Sequence, residues 1–201
     1  MPDARSRVIE AAERLFVARG YSAVTLRDIA QEIGIRHASL YYHFPHGKEE
    51  LYVEVTAQRV QRYAEGLRQA ILGVDGEHQR GEKNVESSLW QARLRAAGNW
   101  MLEQPSMHFG RLMQSDMPAI SESAAEQLRV IIFSALMQPL EAIFREALGN
   151  DPLRRERSVT YAGMFFSLIE GIDNLPAHYV QGSKHELVDI MLDVFVNGLA
   201  N

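Results

Sequence analysis

The chain has 201 residues, 46% hydrophobic and 23% charged, a balance that fits one or two ordinary globular domains with a buried core. Cysteine is absent, which excludes disulfides, thiolate catalysis and cysteine-ligated zinc. The net charge of −5 is unevenly shared: residues 1–50 carry seven Lys/Arg, seven Asp/Glu and three histidines, whereas the remainder carries fourteen Lys/Arg against nineteen Asp/Glu.

The first element expected is a helix over Arg5–Arg19, with Val8, Ala12, Leu15 and Phe16 on one face and Gly20 as its stop. Thr25 caps the next helix, and Asp28 three residues on completes a capping-box pattern. Leu26, Ile29, Ala30 and Ile33 repeat at helical spacing, and Gly34 supplies the tight turn into a third helix whose Ile35, Leu40 and Phe44 point inward. Pro45-His46-Gly47 breaks that helix, and a fourth runs from Lys48 to about Leu72. Residues 73–86, with three glycines and many charges, read as a linker. Further helical patterns follow at about 85–104, 106–115 and 121–148, the last kinked at Pro139. Asp151 and Pro152 open a helix over about 153–180 with a bend at Pro176, and Lys184–Leu199 closes the chain. The fold class expected is all-α: a three-helix domain over 1–47 and a helical body over 48–201, joined by the fourth helix.

The longest apolar stretch, Val130–Met137, is shorter than the ~18 residues of a membrane span. The charged, amphipathic start MPDARSRVIEAAERLF lacks a signal core, so a cytoplasmic protein without a membrane partner is expected.

Two short helices meeting at Gly34 outline a helix-turn-helix, which lays its second helix in the DNA major groove. That second helix carries a dense outward set: His37, Ser39, Tyr41, Tyr42 and His43. Arg36 stands at its N-cap, where it cannot accept a backbone N–H bond, and is a candidate for a phosphate or a base edge together with His37. A tyrosine ring packs on a thymine methyl and its hydroxyl reaches a phosphate. One of Tyr41 and Tyr42 is expected to be the more buried. Thr25 and Lys48 are candidate phosphate contacts at the starts of the second and fourth helices.

Residues 5–52 resemble the DNA-binding domain of the TetR family of bacterial one-component repressors. The matching residues are Ala11-Ala12, Leu15-Phe16, Gly20-Tyr21, Thr25, Asp28-Ile29-Ala30, Gly34-Ile35, Leu40-Tyr41-Tyr42-His43-Phe44 and Lys48-Glu49-Glu50-Leu51. The chain departs from the pattern at Arg36, where a Ser or Thr cap is usual, and at Ala38, often Gly. The resemblance implies a homodimer that binds a palindromic double-stranded operator and is released by a small, largely apolar effector.

In the body, Trp90, Met101, Phe109, Met113, Phe133, Met137 and Phe165 form an aromatic and methionine-rich set suited to such an effector. Glu170 is a polar anchor, with His108, Arg111, Gln114, Asp173 and Asn174 as others. Phe165, Ile169, Ile172, Leu187, Met191, Val194 and Phe195 form stripes expected at a dimer interface, flanked by Gly163, Gly171 and Gly198. Such stripes also serve as intrachain core. Neither a phosphate-binding Gly-rich loop, HExxH nor GxSxG occurs, so no catalytic residues, cofactor or metal are expected. Two other readings remain: a helical ligand carrier or enzyme, and a protein-interaction adaptor whose helix-turn-helix binds no DNA.

Overall fold

The computed structural model describes residues 3–79, 89–149, 152–172, 175, 176, 178 and 182–200, and among these every regular element is helical. The chain forms two compact units. The first comprises Met1–Gln61 and His108–Ile132, and the second Arg62–Met107 and Phe133–Asn201. This division differs from a boundary at 47/48: the first unit takes in the start of the fourth helix and a segment from mid-chain.

In the first unit, α1 spans Ala4–Arg19, with the Asp3 carboxylate accepting from Ser6 N–H at its start and Gly20 at φ 79° at its end. Helix α2, Leu26–Glu32, begins with a complete capping box between Thr25 and Asp28. Gly34 has φ 69°, the left-handed turn conformation glycine adopts without strain. Helix α3, His37–His43, follows, and α4 runs from Lys48 to Gln79. Val8, Phe16, Leu26, Ile29, Leu40, Phe44 and Leu51 are buried and form this unit's core; Ile35 is half-buried. From 108 onward the unit adds α6 (Phe109–Arg111), a π-helical turn over Leu112–Asp116, a 3-10 turn over Met117–Ala119 and α7 (Glu122–Ile132). His108, which opens this segment, has φ 51°.

The second unit contains the remainder of α4, α5 (Leu89–Glu103), α8 (Gln138–Ala147), α9 (Pro152–Arg155), α10 (Ser158–Ile172) and α11 (Lys184–Ala200). Its core is aromatic: Phe144, Phe165 and Phe195 pack with ring centroids 5.6–6.4 Å apart. Trp100 lies over Gly66, edge-on to Tyr63 at 4.9 Å.

Two expectations about the elements need correction. The linker expected over 73–86 is helical as far as Gln79, because Val74 is buried and Asp75 pairs with Arg93 at 2.8 Å; residues 80–86 lie outside the described residues. The single helix expected over 153–180 is two, since the chain turns after Arg155 and α10 starts at Ser158, whose hydroxyl donates to the Arg155 carbonyl at 2.8 Å. Helix α10 ends at Ile172, ahead of Pro176, and Asp151 lies outside the described residues. Around Pro139 the disturbance takes the form of a π-helical turn over Phe133–Met137, just before the proline that cannot donate to the helical ladder. The resulting stretch Glu122–Ala147 is long and apolar enough by composition to cross a membrane, more than the Val130–Met137 run suggests. One side of it is buried through Leu128, Ile132, Leu136, Leu140 and Phe144.

Candidate nucleic-acid interface

Helix α3 is anchored by two side chains. Leu40 and Phe44 are fully buried, and their spacing of four residues leaves the opposite face outward. Arg36, His37, Ser39, Tyr41 and Tyr42 are exposed there and His43 is half-buried. The two tyrosines differ as expected: Tyr42 is 86% exposed and Tyr41 47%. Ring pairs stiffen this face, with His37 edge-on to Tyr41 at 5.4 Å and Tyr42 edge-on to His43 at 5.2 Å. Arg36 makes no side-chain cap bond, so the helix starts with its first amides uncapped by a side chain.

Two expected phosphate contacts are engaged elsewhere. The Thr25 hydroxyl donates to Asp28 Oδ2 at 2.7 Å and accepts from Asp28 N–H at 3.2 Å, so the capping box uses both of its functions. Lys48 turns inward. Its Nζ donates to the carbonyls of Tyr21 and Val24 at 2.9 and 3.0 Å and lies 4.0 Å from the centre of the Tyr21 ring. Partial burial lowers its pKa. The ammonium thus braces the turn between α1 and α2, a correction to its role as a backbone clamp. Arg27, unremarked in the sequence, is exposed in the first turn of α2. Among the other arginines of this face of the sequence, Arg5 pairs with Glu54 and lies over the Phe44 ring at 5.1 Å, and Arg14 pairs with Glu32 at 3.5 Å.

The mid-chain segment contributes polar groups that no sequence motif marks. Arg111 donates to the carbonyls of Phe16 and Val17, and buried Asp116 accepts from Tyr21 N–H and the Tyr52 hydroxyl. Burial, reinforced by the Asp116 charge, pushes the Tyr52 hydroxyl pKa well up. Arg111, expected as a polar anchor for an effector, is thus engaged with the end of α1. A groove of about 630 Å³ lies on the same unit between α4 and α7. Its Glu49 holds the start of α7, accepting from Ser121 N–H at 2.8 Å and Ser121 Oγ at 2.7 Å, which keeps its carboxyl below the usual range.

The expected effector residues are divided between the two units. Phe109 and Met113 belong to the first unit; Trp90, Met101, Phe133, Met137, Phe165 and Glu170 belong to the second. Met101 and Phe165 are deep core, Trp90, Phe109 and Met137 are half-buried, and Met113 and Phe133 are exposed. Glu170 accepts from Ser106 Oγ at 3.0 Å and Met107 N–H at 3.2 Å. Asp173 and Asn174 lie outside the described residues.

The expected dimer stripe divides by face. Phe165, Ile169 and Phe195 are buried in the chain's own core and offer no surface to a second copy. Ile172, Leu187 and Met191 are half-buried and Val194 is 70% exposed. Among the described residues, the outward apolar side chains of α10 and α11 are Val159, Met164, Leu168, Ile190 and Val194, of which only Val194 belongs to the expected stripe.

An all-helical chain whose first unit presents a helix-turn-helix with an outward polar-aromatic second helix belongs to the class of helix-turn-helix proteins. Residues 8–55 match the family model for bacterial regulatory proteins of the tetR family, and the N-terminal domain is a TetR-family domain. The chain is 44% identical over 69 residues to the HTH-type transcriptional regulator LmrA of Bacillus subtilis (strain 168), covering 34% of this chain and 35% of that protein. It is 36% identical over 83 residues, 41% of this chain and 37% of the other, to the HTH-type transcriptional activator FasR of Mycolicibacterium smegmatis. These matches span little more than a third of the relatives' length. A solved TetR transcriptional regulator from Legionella pneumophila is similar over 97% of this chain and 98% of its own, with 26% identity and a TM-score of 0.69. The fold is TetR-like throughout.

Proposed function

We propose that the protein is a ligand-responsive transcriptional regulator, a cytoplasmic repressor that binds a palindromic DNA operator as a homodimer. The observation that carries this reading is the outward face of α3, where Tyr42 is 86% exposed although it follows directly on the buried Leu40 turn. What supports the reading is the set rather than the single ring: Arg36, His37, Ser39, Tyr41 and Tyr42 are exposed together on a helix anchored by Leu40 and Phe44, and they supply the donors and flat rings that base edges and phosphates take. Arg36 and His37 at the helix start are the base-edge contacts, and Ser39, Tyr41 and His43 line the groove beside Tyr42. Arg27 rather than Lys48 serves as the phosphate contact. The exposed Met164, Leu168, Ile190 and Val194 form the surface for the second copy, which sets two recognition helices one DNA turn apart, ~34–36 Å. An apolar effector binds the second unit and shifts the population of protein competent for DNA; α4, which contributes to both units, carries the change.

Titration of labelled upstream DNA against random competitor tests this. Wild type is expected to bind one duplex with competitor resistance, and Tyr42→Ala to weaken that binding while melting as wild type does. Equal affinity of the two proteins would remove Tyr42 from the interface, and sequence-blind binding by wild type would defeat the reading as a whole.

A further inference from the structure

Charged side chains grip the turn between α1 and α2 from three directions. Tyr21 donates its N–H to Asp116 Oδ1 at 2.9 Å, and its carbonyl accepts from Lys48 Nζ at 2.9 Å. The Tyr21 ring lies 4.8 Å from that of Tyr52, whose hydroxyl donates to Asp116 Oδ2 at 3.2 Å. Arg111 holds the last turn of α1 through the carbonyls of Phe16 and Val17, at 3.3 and 2.7 Å, and its Nε lies 3.7 Å from Asp116 Oδ2. Gly20 leaves room for this approach: a Cβ there would stand 3.1 Å from Asp116 Oδ1. Asp116 is the one acidic side chain buried among the described residues.

A buried carboxylate is a poor choice if stability alone were needed. Desolvation offsets most of its Coulombic gain, and apolar side chains of similar volume commonly do as well or better. What it adds is direction. Each of its donors must be met in one geometry, because an unmet buried partner is costly. The geometry met here is that of the Tyr21 amide, four residues before the Thr25 cap of α2.

We propose that Asp116 is a positioning residue for DNA binding. It touches no DNA; by fixing the Tyr21 amide it sets the orientation of the α2–α3 pair against α1. The sequence places it 95 residues from Tyr21, so nothing in the helix-turn-helix motif itself reports it. The proposal rests on the reading of α3 as the DNA-facing helix.

The test uses the full chain and the duplex that wild type selects. Asp116→Asn is nearly isosteric but loses the charge that faces Arg111 and Tyr52. It is expected to bind about tenfold more weakly, the loss of roughly one charge-assisted hydrogen bond. The slope of log affinity against log salt should equal that of wild type, because no phosphate contact is removed. Tyr52→Phe, which removes a single donor to the carboxylate, should show a smaller loss with the same slope. Hydrogen exchange at the Tyr21 amide should quicken in Asp116→Asn. Affinities are referred to the binding-competent fraction, measured by stoichiometric titration well below the melting temperature. A loss that vanishes on this correction would show a merely structural role and overturn the proposal. So would wild-type affinity in Asp116→Asn, or a shallower salt slope. Failure of wild type to select any duplex would instead defeat the DNA-binding reading on which the proposal stands.

Discussion

Replacing Lys48 by methionine separates two roles that a lysine at this position can have. Methionine keeps most of the apolar stem and removes the ammonium, and with it both hydrogen bonds to the Tyr21 and Val24 carbonyls and the contact with the Tyr21 ring. A hydrogen bond to a charged group contributes about 1.5–3 kcal/mol when well buried. Lys48 is only half-buried and water can reach the released carbonyls, so the combined loss is taken as about 2 kcal/mol. For a chain of this length each kcal/mol moves the melting temperature by about 2–4 °C, giving an expected fall of about 4–8 °C. Operator affinity should fall too, because the turn before α2 loosens. The salt dependence should not change. A lysine that neutralised a phosphate would contribute about 0.9 to the slope of log affinity against log salt, and its removal would flatten the line by that amount. Calorimetry and operator titrations at four or five salt concentrations give both quantities. A slope reduced by about 0.9 with an unchanged melting temperature would refute the inward assignment.

Gly66→Ala should destabilise the second unit by about 1–3 kcal/mol, since the new Cβ would lie 2.1 Å from Trp100 Cζ2 and displace the ring; thermal melting followed by tryptophan fluorescence reads this directly. Gly171→Leu should leave the chain's fold intact, because a Cβ there meets nothing within 4 Å, yet weaken self-association; sedimentation showing an unaltered dimer would argue that α10 lies outside the interface. Acidification should loosen the first unit. Hydrogen bonds from Thr25 hold the Asp28 carboxyl below its ordinary value, as those from Ser121 do for Glu49. A lowered folded-state pKa means stability that is present above the unfolded value and lost as pH falls through the folded one, so melting temperature should decline from about pH 5 downward. Ser121→Ala should make that decline shallower.

The parts of the fold that rest on local chemistry were legible in the chain itself. The Thr25–Asp28 box, the left-handed Gly20 and Gly34, and the Leu40–Phe44 anchor all involve residues within a few positions of one another. Features decided by distant partners were not. Glycines at 73 and 76 suggested a linker, but Asp75 finds Arg93 and the helix continues. Lys48 looked like a surface cation because the carbonyls it meets are brought to it only by the packing of α1 and α2. In α10 apolar residues occupy both faces, so periodicity could not decide which was inside; Phe165 and Ile169 went to the core, and Met164 and Leu168 to the surface. Residues 108–132 read as part of the body, yet Arg111, Asp116 and Ser121 tie them to the first unit.

Arg36 stands at the N-cap of α3, a position where Ser, Thr, Asp or Asn is usual. Its side chain makes no cap bond and Leu40 and Phe44 anchor the helix, so replacing Arg36 by another non-capping residue removes no cap, whereas Ser, Thr, Asp or Asn there would add one. Under the proposed DNA-binding role, Arg36 is thus a position where base contacts can be exchanged at no loss of a helix cap, and where a capping replacement would trade a base contact for helix stability.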